Sequence, residues 1–122
     1  RVMVKFFTMV QRKLVRAVRN AGFFCDDAYD VFKENSRGYV TYNCRIADGW
    51  LVGSEVVNHV RNGCSTVICG HPFGCLTSQV SGKGIYPSLQ SQLRGAHIVP
   101  IDFDAGSSEV NVKNRILLAL QM

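Results

Sequence analysis

Five cysteines and three histidines are the residues of this 122-residue chain whose chemistry can reach beyond packing. The cysteines stand at Cys25, Cys44, Cys64, Cys69 and Cys75. Their number is odd and no C-x-x-C pair occurs, which argues against a secreted disulfide framework. The zinc-ribbon and two-cluster ferredoxin spacings are missing as well. The densest group is Cys69-Gly-His-Pro-Phe-Gly-Cys75. A thiolate near a histidine and a helix start can serve as a nucleophile or a metal ligand, with Cys75 attacking and His71 as its base. On spacing alone, a buried, unreactive thiol is the plainer reading. The phosphatase type of cysteine loop is excluded, because the sixth residue after Cys75 is Ser81 and not arginine.

Three further groups invite a ligand. Asp102 and Asp104 follow a strand-like run and can hold Mg²⁺, or simply form a turn and a helix cap. Gly82-Lys-Gly84 lacks the Walker pattern, since Thr77 and Gly84 replace the required glycine and hydroxyl residue. Lys83 at a helix N-terminus would still hold an anion, with a turn as the plainer role. Gly74 permits close backbone approach to a ligand. Ser107 lies in the second loop. His59 and His97 read as structural, and Trp50 as a packing anchor.

These residues need elements to position them. Phe6, Phe7, Val10, Leu14, Val18 and Ala21 recur at helical spacing, which predicts a helix over 2–21 stopped by Gly22. A second helix is expected over about 27–36, capped by Asp26 or Asp27. Residues 39–47 are open between strand and loop. A third helix starts at Asp48, its proposed cap, and ends at Asn62-Gly63. Cys64 to Cys69 reads as a short buried strand, and Gly70 to Gly74 as a loop. A helix over about 83–93 and a strand over His97 to Phe103 follow. Ser107 or Ser108 then caps a last helix running to about Leu120.

The expected fold is α/β: a small parallel βαβ sheet flanked by helices, a Rossmann-like partial domain. One domain covers 1–122, with a helical lead-in over 1–47 and the motif-bearing βαβα part over 48–122. Both ligand-bearing loops then lie at the carboxyl ends of the strands, where open parallel sheets bind ligands.

Composition narrows the partners. Hydrophobic residues make up 47% and charged residues 19%, which excludes a disordered or collagen-like chain. No apolar run is long enough for a membrane-spanning helix. The net charge of +5 suits an anion. However, Lys5, Arg12, Lys13, Arg16 and Arg19 share one helix, as a solvated face does. No aromatic–basic interleaving suggests nucleic acid. Arg1 to Phe7 lacks a signal-peptide core, so the expectation is a piece of a longer cytoplasmic chain.

Several ordered stretches resemble one bacterial family. Asp48-Gly-Trp-Leu-Val-Gly-Ser-Glu55 resembles its "GEGWLLTGEM" box, and Val67-Ile-Cys-Gly-His-Pro-Phe-Gly-Cys-Leu76 its "NIVCLQPFGCLPNH" box. Ser81-Gly-Lys-Gly84 is similar to "TGKG". Ile98 to Asn111 is similar to "NIVAIDYDPGASEVN", and Asn114-Arg-Ile-Leu117 to "NRIKL". The family is the large activators of 2-hydroxyacyl-CoA dehydratases, the CoA-substrate-specific enzyme activases, in their C-terminal, dehydratase-like portion. The resemblance implies a module of an ATP-driven, low-potential electron-transfer protein with a [4Fe-4S] cluster. ATP would belong only to an ATPase module whose phosphate loops are not in this sequence. Cys75 matches the PFGC cysteine and Cys69 the one before it, which makes them the implied metal ligands; Gly74, Lys83 and Ser107 are the candidate cofactor contacts. No residue is expected to be catalytic. The implied partners are the other domains of the parent and a CoA-ester dehydratase; the two-stranded sheet and the apolar first helix separately suggest a second copy of the chain. The family's Pro-Asn-His after the PFGC cysteine is replaced by Thr77-Ser-Gln79.

Overall fold

The computed structural model describes residues 2–121. It is an α/β fold of five helices and a two-stranded parallel sheet. The elements run α1 (Val2–Asn20), α2 (Tyr29–Asn35), α3 (Leu51–Arg61), β1 (Thr66–Pro72), α4 (Lys83–Gln92), β2 (His97–Phe103) and α5 (Glu109–Gln121), with a π-helical segment, Thr77–Gly82, leading into α4.

The first helix is held by polar contacts, whereas α2 buries Phe32. No residue of α1 is buried. It meets the rest of the chain through Arg12 on Asp30 and Arg19 on Asp27, the second pair at 2.9 Å. Neither Asp26 nor Asp27 caps α2: Ala28 takes that place with no side-chain hydrogen bond. Asp27 is already engaged by Arg19 and by the Asn62 amide at 2.8 Å. Likewise Asp48 does not cap α3 through its side chain, because the helix opens at Leu51 after Trp50. Only the Asp48 carbonyl takes part, accepting the Val52 N–H at 3.1 Å. Trp50 is packed by the rings of Tyr29, Phe32 and Tyr42, whose centroids lie 5.1–6.4 Å away. Residues 39–47 form turns and no strand.

The first strand is displaced from its expected place. Cys64 lies outside it, exposed, with its N–H closing the end of α3 on the His59 carbonyl. Cys69 sits within the strand, which continues through Gly70, His71 and Pro72. The reason is pairing: Thr66 lies opposite His97, His71 opposite Asp102 and Pro72 opposite Phe103. Partners on β2 extend a segment that its own glycine and proline mark as a loop.

Val56, Val57, Tyr86, Leu89, Leu93 and Ile98 form the core where α3 and α4 cover the sheet. At Gly53 a Cβ would stand 3.1 Å from Ile85 Cγ2, so this glycine sets the close approach of the two helices. Leu89 is fully buried, whereas Phe6 on α1 is 55% exposed. Leu89→Ala is therefore expected to cost about 2–5 kcal/mol, and Phe6→Ser less than about 0.5 kcal/mol. Urea unfolding of the two variants checks the contrast.

Candidate functional site

The loop after β1 is tied back to the sheet by the Phe73 N–H on the Phe103 carbonyl, at 2.8 Å. Gly74 then turns with φ +79°, a left-handed conformation that glycine adopts freely. No atom lies within 4 Å of where its Cβ would be, so conformation is what demands glycine there. Cys75 follows, and its carbonyl accepts the Gln79 N–H at 3.0 Å. That bond is the first of the helix, so Cys75 occupies the capping position. Its thiol meets the Thr77 hydroxyl at 3.4 Å. The Ser78 and Thr77 hydroxyls and the N–H groups of both residues stabilise the thiolate and draw the Cys75 pKa down to about 7.

This helix start moves the other expected sites. Helical backbone begins at Leu76, so Lys83 lies inside a continuous helical run and has no free amides beside it. Its ammonium pairs instead with the Asp102 carboxylate at 2.7 Å. Gln79 reaches the same carboxylate at 3.0 Å. Lys83 and Gln79 together hold Asp102 below the usual carboxylate range. The ion pair thus joins the start of α4 to the end of β2 and partly neutralises Lys83. Ser107 closes its own turn, accepting the Asp104 N–H at 2.8 Å and donating to Asp104 Oδ1 at 3.0 Å. Its side chain makes no hydrogen bond to α5.

Cys69 differs from Cys75 in its place in the fold and in the direction of its pKa shift. It is partly buried on β1, and burial raises its thiol pKa. The Tyr86 hydroxyl is its neighbour and opposes part of that rise, although no well-aligned hydrogen bond closes between them. His71 is 1% exposed and stacks obliquely on Tyr86, with centroids 5.5 Å apart. Neither of its ring nitrogens has a partner, so His71 is not bonded to the Cys75 thiol. Burial lowers its pKa, and the nearby Lys83 lowers it further. Among the described residues no three His, Cys, Asp or Glu side chains converge as a metal site.

A second feature escaped the sequence reading. Between α3 and β1 lies a cavity of about 310 Å³, lined by both polar and apolar residues, Glu55, His59, Cys69, His71 and Tyr86 among them. Its signals were present: Cys69 and His71 share one strand parity, and Glu55 interrupts the apolar stripe of α3. Both were obscured by assigning His71 to a loop.

No protein-family model, curated protein or solved structure matches this chain.

Two outcomes follow from the titrating groups. At neutral pH, Cys75 with a pKa of about 7 holds roughly fiftyfold more thiolate than a thiol at the ordinary 9.0. Iodoacetamide labelling, read by peptide mass spectrometry, is expected to modify Cys75 well before Cys69. Thr77→Val with Ser78→Ala moves the labelling profile toward higher pH. The folded chain also binds a proton at His71 less readily than the unfolded chain, whose ordinary value is 6.5. The stability this contributes is complete above that value and is lost as pH falls through it toward the depressed folded pKa. His71→Phe is expected to flatten the fall in urea midpoint between about pH 7.5 and about pH 5.5.

Proposed function

We propose that this chain is the C-terminal module of an activator of 2-hydroxyacyl-CoA dehydratases, working in a reducing, cytoplasmic setting. It supports ATP-driven, low-potential electron transfer without being catalytic by itself. The observation that carries this reading is Cys75: the cysteine of the PFGC-like stretch caps a helix at the carboxyl end of a parallel strand, with a pKa near 7. Such a thiolate is a ready ligand for a soft metal centre.

The residues present do not build a cluster site. A cubane cluster takes four ligands, and the described residues bring no three suitable side chains together. Cys69, with its raised pKa beside Tyr86, is the poorer donor of the implied pair. The module's contribution is therefore a single thiolate, Cys75, at a docking surface. The other ligands would come from the rest of the parent chain or from the dehydratase. The exposed apolar side chains Phe6, Phe7 and Leu14 on α1 supply a surface for such a neighbour.

Cobalt(II) titration of the anaerobic, reduced chain tests the ligand role. A thiolate-to-cobalt charge-transfer band is expected in the wild type and in Cys69→Ser, and is lost in Cys75→Ser. In the parent protein, Cys75→Ser is expected to reduce electron delivery to the dehydratase at least about tenfold. Unchanged delivery in that variant would overturn the reading.

A further inference from the structure

Helix α1 takes no part in the thiolate chemistry of Cys75, and none of its residues is buried. Helices in proteins owe most of their stability to the packing of an amphipathic face. A 19-residue helix, about 28 Å long, that buries nothing therefore points to an occupant. Its apolar side is a regular seam. Met3, Phe7, Val10, Leu14 and Ala17 alternate spacings of four and three residues, and Ala21 continues the series. Ala21 still belongs to the helical ladder, with its N–H on the Ala17 carbonyl at 3.1 Å. That spacing is the seam a partner helix meets. Met3 is 72%, Phe7 63% and Leu14 61% exposed. Phe6 borders the seam, and its ring meets that of Phe7 edge to face, with centroids 6.0 Å apart. Lys5, Arg12 and Arg19 recur every seven residues on the opposite side, where Arg12 and Arg19 hold Asp30 and Asp27. The body of the fold is thus attached away from the seam.

Charge and size select the occupant. Helix α1 has no acidic residue, and Lys13 is its one cation at the border of the seam. An anionic lipid surface or an acidic partner would meet that single charge, because the other basic residues lie on the far side. Size is graded along the seam, with Met3 and Phe7 at one end and Ala17 and Ala21 at the other. An antiparallel second copy sets the partner's Ala17 against Phe7, the partner's Ala21 against Met3 and the partner's Leu14 against Val10. Every layer then joins a larger side chain to a smaller one. A parallel copy would stack phenylalanine on phenylalanine and leave alanine facing alanine. Two such seams cover on the order of 1,200 Å² in all, where stable interfaces begin. The one like-charge approach is Lys13 to the partner's Lys13 across the two-fold axis, at the wet border where salt screens it.

We propose that this chain pairs with a second copy of itself through antiparallel α1 helices, Phe7 of each packing on the partner's Ala17. Cobalt binding at Cys75 involves no residue of α1, so this pairing and the thiolate reading fail independently. Sedimentation equilibrium of the reduced chain, over about a hundredfold range of concentration, is expected to show a monomer–dimer equilibrium that tightens with added salt. Phe7→Lys and Ala17→Glu are each expected to weaken the dimer at least about tenfold. Both positions are exposed in the single chain, so the fold is kept, and circular dichroism checks this. An equimolar mixture of the two variants is expected to recover a heterodimer. The lysine of one chain then faces the glutamate of the other, while the second Phe7–Ala17 layer stays intact. A parallel pairing gives no such recovery. The proposal is overturned by a wild type that is monomeric throughout, by a dimer indifferent to both substitutions, or by variants that stay monomeric on mixing. A monomeric wild type that adsorbs to phosphatidylglycerol vesicles would assign α1 to a lipid surface instead.

Discussion

The parallel pairing of β1 with β2 is the constraint on which the site depends. Parallel strands finish at the same edge, so the loops after Pro72 and after Phe103 must emerge together. The pairing also draws Gly70, His71 and Pro72 into the sheet, which shortens the loop ahead of Cys75. The Lys83–Asp102 ion pair then couples the helix after the first loop to the end of the second strand. Its two side chains are partly exposed, so its role is positional more than energetic.

That geometry separates two thiols that are six positions apart in sequence. Cys75 leaves the sheet at a helix start, where N–H groups and two hydroxyls favour its anion. Cys69 stays on the strand under α3 and α4, where burial favours the neutral thiol. Similar residues thus acquire opposite chemistry from the direction in which the chain leaves β1. The same register brings His71 beneath Tyr86 and makes it part of the wall of the α3–β1 cavity, with no hydrogen bond to Cys75.

The lead-in helices obey another rule. The apolar residues of α1 have helical spacing but remain uncovered, and its links to the rest are polar: arginine–aspartate pairs, Arg19 on the Cys25 carbonyl and Gln11 on the Tyr29 N–H. The compact core is centred where α3, the sheet and α4 meet, with Val40 joining it from the segment after α2. Helical periodicity specifies an amphipathic face without specifying what lies against it.

The sequence by itself determined the α/β class, the parallel βαβ order, the bounds of β2, and helices close to their observed places. Those features follow from local periodicity and glycine stops, which each segment carries alone. Tertiary structure decided what depends on a distant partner. Residues 70–72 became strand because 101–103 lay opposite them. Helical backbone began at Leu76, well before Lys83, with a π-helical segment between them. Asp27 was diverted from capping α2 by Arg19 and Asn62, and Ser107 from capping α5 by Asp104. His71 and Tyr86, fifteen residues apart, came together in one cavity wall because α4 packs on the sheet that holds His71. Each of these outcomes turns on which group reaches a donor, an acceptor or a buried surface first, and that competition is settled in three dimensions.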